Sequence, residues 1–193
     1  MSGDWLYWSL IAGLWVVWRL YWIASARDVK VTARQESVAS RASHIAPLFV
    51  GVVLLALPTG RAALLAERIL PRSPAGYWIG VALIILGLSF AVWARRHIGR
   101  NWSATVTVKT DHVLVRTGPY GWVRHPIYTG LLTAILGTAI ARGDLRGLLG
   151  LILCAIAFMI KLCVEERWMR QAFGEAYDHY SKEVPALIPL SPW

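Results

Sequence analysis

Two stretches carry the side chains able to bind a charged ligand. The first, GPYGWVRHPIYTG at Gly118 to Gly130, sets a cation, a titratable ring and a proline in a row, Arg124-His125-Pro126, with Tyr120 and Tyr128 on either side and an apolar run behind. Proline suits the first helical position, and the residue before a proline is biased away from helical dihedrals. The sequence therefore predicts a helix that starts at Pro126, its unpaired N–H groups and positive dipole end lying beside Arg124 and His125. Such an end favours an anionic group. The second stretch, KLCVEERWMRQAFGEAYDHYSKEVPALIP, places Glu165 and Glu166 where another apolar run closes. Carboxylates there accept from an ammonium or from hydroxyls.

Whether the two stretches meet depends on the elements that carry them. Of the 193 residues 56% are hydrophobic and only 16% charged, in blocks too long for the core of a soluble domain of this size. An all-α integral membrane protein is expected, with about five transmembrane helices near Trp5–Ala24, Ile45–Leu65, Gly76–Ala94, Pro126–Ala141 and Arg146–Val164. The fourth is short, about 24 Å at 1.5 Å per residue, and is expected to stop below one interface or lean on its neighbours. Met1–Asp4 holds an acid and no cation, unlike the start of a signal peptide, so a retained first helix is expected.

The formal charge of +9 sits between spans. Ten cations follow the first and third blocks and five follow the second and fourth, which by the positive-inside rule puts the N-terminus outside and leaves the third loop and the C-terminal tail together on the cytoplasmic side. This placement argues for membrane lipids as partners and against nucleic acid. Cys154 and Cys163 lie about 13 Å apart along one helix, too far to bridge, and no metal-ligand spacing appears.

No repeat or long linker divides the chain, so residues 1–193 read as one membrane domain. Within the third loop, Ser103–Val108 and His112–Arg116 alternate apolar and polar residues about Lys109-Thr110-Asp111, which predicts a short hairpin or extended excursion. Past the fifth block Met169, Phe173, Ala176 and Tyr180 form a helical stripe, the mark of an amphipathic arm continuing that helix out of the membrane. Together, the loop and the arm offer backbone donors, Arg124, His125, aromatic faces and two glutamates. S-adenosyl-L-methionine suits that set through its carboxylate, ammonium, ribose hydroxyls, adenine and sulfonium. A phospholipid headgroup or a nucleotide suits a similar set.

HVLVRTGPYGWVRHPIYTG followed by EERWMRQAFGEAYDHY resembles the membrane methyltransferases of the isoprenylcysteine carboxyl methyltransferase family, whose relatives include phospholipid N-methyltransferases. The likeness covers roughly residues 99–185. It implies a cofactor pocket for S-adenosyl-L-methionine, released as S-adenosyl-L-homocysteine, closed by the loop and the C-terminal amphipathic helix. The implied cofactor contacts are His112, Val113, Leu114, Val115, Tyr120, His125, Pro126, Ile127, Tyr128 and Glu166. Arg124 and Glu165 are the catalytic candidates: Arg124 as a cation for an acceptor carboxylate, and Glu165, or else His125, as a base for an amine. The eukaryotic carboxyl methyltransferases have an arginine one turn before the glutamate, and Leu162 stands there instead. A lipophilic or lipidated acceptor bearing a carboxyl, amine or thiol group is implied. The reading of another class is a non-catalytic protein whose basic loop holds lipid headgroups or a partner.

Overall fold

Five apolar blocks joined by short loops must alternate in direction, which places every other helix end on the same face. The computed structural model describes residues 4–26, 32–57, 65–102, 107–109 and 113–189. Its helices are α1 (Asp4–Ser25), α2 (Val38–Ala56), α3 (Pro74–Ile98), α4 (Pro126–Arg142), α5 (Leu145–Phe173) and α6 (Glu175–Glu183). The start of α4 and the end of α5 share one face with the ends of α1 and α3, since Arg95 of α3 donates to the Ser25 carbonyl and Trp102 packs edge-on against Trp22 at 5.4 Å.

Local chemistry sets the helix ends. Ser73 caps α3 by accepting from the Gly76 N–H at 3.0 Å, with Pro74 at the first helical position. Asp144 caps α5 by accepting from Gly147 N–H at 2.9 Å. The 29 residues of α5 reach about 43 Å, well beyond a hydrocarbon core of about 30 Å, so its last turns leave the apolar layer carrying Glu165 and Glu166.

The second helix differs from expectation at both ends. It begins at Val38, seven residues early, because Ser37 accepts from Ser40 N–H and starts a polar first turn that hydropathy does not mark. It ends at Ala56 because Leu57, which precedes a proline, takes the extended conformation (φ −61°, ψ 134°). Among the described residues four helices, α1, α2, α3 and α5, are long and apolar enough to cross a membrane. The fourth expected span, α4, has 17 residues and reaches about 25 Å. It still runs from one face to the other, because Arg142 at its far end donates to the Leu55 carbonyl of α2 at 2.8 Å.

Helix α4 leans on α3 through a seam of small residues. A Cβ at Gly80 would sit 2.5 Å from the Gly137 carbonyl oxygen, and one at Gly130 would sit 2.5 Å from that of Gly87. Close backbone approach of this kind is how apolar helices associate where no hydrophobic force drives them together. At the far face Arg142, Asp144 and Arg146 are buried together, Asp144 Oδ2 accepting from both arginines at 3.1 and 2.9 Å. This cluster fixes the tight turn that returns the chain as α5.

The extended excursion of the third loop has a different partner from the one expected. Strand β2 (Thr107–Lys109) pairs antiparallel with β1 (Thr32–Gln35), from the loop after α1, and not with the residues that follow it. Both loops leave the bundle on the same face, so the ladder joins them. Residues 113–116 are neither strand nor helix.

The seam predicts a sharp contrast between two glycines. Gly87→Val should lower the melting temperature in detergent, by the 1–3 kcal/mol typical of overpacking. Gly13→Ala, with no atom within 4 Å of the added carbon, should leave it unchanged or slightly raised. Equal melting behaviour for the two variants would contradict this packing.

Candidate active site at the α4–α5 face

Residues Gly118–Gly121 form a short 3-10 turn that delivers Tyr120 and then Arg124 to the head of α4. Gly118 holds φ +59°, and a Cβ there would lie 2.6 Å from the His97 ring, so both conformation and space require glycine. Tyr120 is buried, and its carbonyl accepts from the Tyr180 hydroxyl at 2.6 Å. His125 is the residue before the helix (φ −122°, ψ 60°), as Pro126 dictates.

The carboxylate of Glu166 is the meeting point. Its Oε1 accepts from Arg124 Nε at 2.8 Å, from His125 Nε2 at 2.9 Å and from the Tyr177 hydroxyl at 2.8 Å. Its Oε2 accepts from Arg170 at 3.2 Å. Gly174, at φ 52°, ends α5 and turns α6 back so that Tyr177 can reach this carboxylate. The chain beyond α6 then closes on the head of α4. Arg124 and His125 donate their backbone N–H groups to the carbonyls of Pro185 and Ala186, at 2.8 and 3.0 Å. The Arg124 guanidinium donates to the carbonyls of Ser181 and Val184, at 2.9 and 2.5 Å.

Glu165 has other neighbours. Its Oε1 accepts from the Tyr128 hydroxyl at 2.5 Å, and its Oε2 lies 3.6 Å from His125 Nδ1. Lys161, one turn back on α5, stands 3.9 Å from Oε1. The His125 and Tyr128 rings are parallel within 2° and 5.5 Å apart, and the two glutamates meet different nitrogens of the His125 ring, Glu165 at Nδ1 and Glu166 at Nε2.

Against this wall opens a cavity of about 400 Å³, within the range of small-molecule sites. It is bordered by Val113, Leu114 and Val115, by Tyr120 and Arg124, by His125, Pro126, Ile127 and Tyr128, and by Glu165. Glu166 does not border it; its oxygens face the clamp behind. His112 lies outside the described residues. Lining residues that sequence reasoning passed over are Tyr177 and Tyr180, which reach the site through the turn at Gly174, and Trp18, Arg19 and Trp22 of α1. Nothing in the stripe of α6 marks its tyrosines as cavity residues, and the tryptophans of α1 read as an aromatic belt.

Burial disfavours the imidazolium of His125, but hydrogen bonds and charge from Glu165 and Glu166 outweigh it and raise its pKa above 6.5. Burial likewise opposes the charge of Arg124, and Glu166 overcomes that. Burial, aided by neighbouring carboxylates, pushes the phenols of Tyr120 and Tyr177 far up, and that of Tyr180 to about 12, so all three remain donors.

The family model described as phospholipid methyltransferase matches residues 75–176, more than half of the chain. The chain belongs to that family. It is 34% identical over 116 residues to the protein-S-isoprenylcysteine O-methyltransferase of Schizosaccharomyces pombe, covering 58% of this chain and 49% of that protein. It is 31% identical over 134 residues to the uncharacterized protein YpbQ of Bacillus subtilis, covering 68% of this chain and 76% of the other. In three dimensions it is similar to the eukaryotic intramembrane Ras methyltransferase, isoprenylcysteine carboxyl methyltransferase, with a TM-score of 0.52 and 25% identity over 79% of this chain and 52% of that one. The chain thus spans about half the length of the named methyltransferases it matches. The matched region of the phospholipid methyltransferase family runs from α3 to the start of α6, so it contains the head of α4 and the glutamate pair of α5, while the cavity residues of α1, α2 and α6 lie outside it.

The raised pKa of His125 has a consequence for stability. A pKa higher in the folded than in the unfolded state gives stabilisation that is complete below the unfolded value near 6.5 and is lost as pH rises through the folded value. Melting temperature in detergent should therefore decline as pH is raised above 6.5, and His125→Gln should flatten that decline. An identical slope in both proteins would contradict the coupling.

Proposed function

We propose that the chain is a membrane methyltransferase that uses S-adenosyl-L-methionine and acts on a lipophilic acceptor, in the manner of the protein-S-isoprenylcysteine O-methyltransferases it resembles. The observation that carries this reading is the cavity bordered at once by the head of α4, by Val113 to Val115 and by Glu165. When bound, the cofactor supplies a methyl group on a positively charged sulfur, open to in-line attack.

The residues present fit such a group. The head of α4 and the raised pKa of His125 suit its carboxylate. Glu165 suits its ammonium or ribose hydroxyls, the aromatic faces of Tyr120 and Tyr128 suit a sulfonium, and Val113, Leu114 and Val115 offer apolar surface and backbone groups to adenine. Pro126 and Ile127 complete that wall. Arg124 and Glu166 act through others, in that they hold His125, Tyr177 and the tail in register. With an anionic acceptor the chain has little acid–base work to do, and alignment dominates. Trp18, Trp22, Leu48 and Phe158 border the same cavity from within the spans and suit an apolar tail arriving sideways from the bilayer. The charge pattern of the loops supports a cytoplasmic position for this face, where the cofactor is dissolved, with the N-terminus outside.

Calorimetry on the purified protein in detergent tests the reading. S-adenosylhomocysteine should bind, and His125→Ala should weaken it at least tenfold, about 1.4 kcal/mol. Absence of binding at millimolar ligand would refute the assignment.

A further inference from the structure

Buried polar atoms in folded proteins are almost always hydrogen-bonded, so one that is not, beside a cavity, points to a ligand group that completes it. Among the described residues five side-chain atoms are sealed from water without a hydrogen-bond partner. Three are the Nε atoms of Arg41, Arg95 and Arg146, and each of those arginines still meets a carboxylate or a carbonyl. The other two are the indole Nε1 of Trp18 and the side-chain oxygen of Asn101. Both residues border the cavity.

Trp18 lies on α1, seven residues before its end and about 10 Å into the span. Asn101 closes the short 3-10 turn Gly99–Asn101 that follows α3. A row of indoles runs between them. Trp18 stacks on Trp22 at 4.9 Å, Trp22 meets Trp102 edge-on at 5.4 Å, and Trp102, the residue after Asn101, is covered by the Arg95 guanidinium at 4.5 Å. The polar groups at the head of α4 satisfy one another, since Glu165 meets Tyr128 and His125. Beside the indoles, one neutral donor and one neutral acceptor of hydrogen bonds have nothing to meet.

An indole N–H can only donate, and an amide oxygen can only accept. A ligand group that satisfies both offers an oxygen and a polar hydrogen and brings no charge among the indoles, where a charge is costly. The neutral group that offers the two from separate atoms is a secondary amide. An ester has the oxygen alone.

We propose that Trp18 and Asn101 form a neutral amide subsite, in which Trp18 Nε1 donates to the carbonyl oxygen, and Asn101 Oδ1 accepts from the N–H, of an amide that the methyl acceptor carries beside its apolar tail. The substrate class this selects is a lipid-modified amino acid, as against an ester-linked glycerolipid. The ligand is called a methyl acceptor on the strength of the methyltransferase reading, but the preference for an amide requires no cofactor. Trp18 and Asn101 are specificity-determining residues, outside the clamp formed by Arg124, His125 and Glu166.

The test uses the full chain in detergent and two probes, N-acetyl-S-prenylcysteine and its analogue with an ester oxygen in place of the amide N–H, each measured with and without S-adenosylhomocysteine. The wild type should bind the amide at least fivefold tighter than the ester. Asn101→Leu should abolish that preference by weakening the amide and sparing the ester, and Asn101→Gln should restore part of it. Trp18→Phe, which keeps a ring and loses the N–H, should weaken both probes alike, because both retain the carbonyl. Asn101→Leu should keep the wild-type affinity for S-adenosylhomocysteine and melt no lower than the wild type, since it removes no hydrogen bond within the protein; a structural role predicts a lower melting temperature. Equal affinity for amide and ester in the wild type, a comparison that needs no variant, would overturn the subsite. So would a preference that survives Asn101→Leu, undiminished binding of both probes in Trp18→Phe, or loss of S-adenosylhomocysteine affinity in Asn101→Leu, which would give Asn101 to the cofactor. A wild type that prefers the amide and binds no S-adenosylhomocysteine would instead sink the methyltransferase reading and leave the amide subsite standing.

Discussion

A carboxylate withdrawn from water is destabilising unless donors surround it, and removing one partner from a buried ion pair costs about 3–5 kcal/mol because the other charge is stranded. Glu166, 5% exposed, is satisfied by donors from the turn before α4, from the residue that heads α4, from α5 itself and from α6. Other hydrogen bonds join these segments in pairs, but Glu166 is the group at which all four meet. The turn brings Tyr120, the helix head brings His125 and Tyr128, and α6 brings Tyr177 and Tyr180. The buried charge thus gathers much of the polar side of the cavity wall.

That arrangement separates the two adjacent glutamates into different tasks. Successive residues on a helix point about 100° apart, so Glu166 turns into the clamp and Glu165 turns to the cavity with Tyr128. Polar bonds then extend the clamp outward: Arg124 gathers the carbonyls of Ser181 and Val184, and the tail beyond α6 pairs with the backbone of Arg124 and His125. The apolar half of the cavity depends on a different force. Helix α1 is tied to the bundle by the Trp15 indole donating to Thr138 at 3.1 Å and by aromatic contacts that pass from Trp18 and Trp22 to Trp102. A helix held by rings and a few hydrogen bonds is suited to let a tail pass beside it.

The sequence made the helix start at Pro126 legible because proline restricts both itself and the residue before it, and the short α4 was legible from its length. The membership of both stretches in one face followed from the alternation of spans. Other features left no local trace. Val38 starts α2 because of a serine cap, which lies outside any hydropathy window. The partner of β2 is a polar segment, Thr32–Gln35, without the alternation that marks strands. The buried pair of Glu36 and His44, 3.2 Å apart, belongs to no motif and lies before the apolar block, where hydropathy gives no sign of it. Closure by Pro185, Ala186 and Leu187 uses main-chain carbonyls, to which side-chain identity gives no clue. The division of labour between Glu165 and Glu166 also needed coordinates, since adjacency in sequence says nothing about which carboxylate meets four donors.

The dependence of the whole face on Glu166 is most directly measured by hydrogen–deuterium exchange of the backbone amides of Arg124 and His125, which donate to Pro185 and Ala186. In Glu166→Gln these amides should exchange at least tenfold faster than in the wild type, together with those of α6, while amides in the α3–α4 seam remain protected. Unchanged protection at Arg124 and His125 in a folded Glu166→Gln protein would contradict the account.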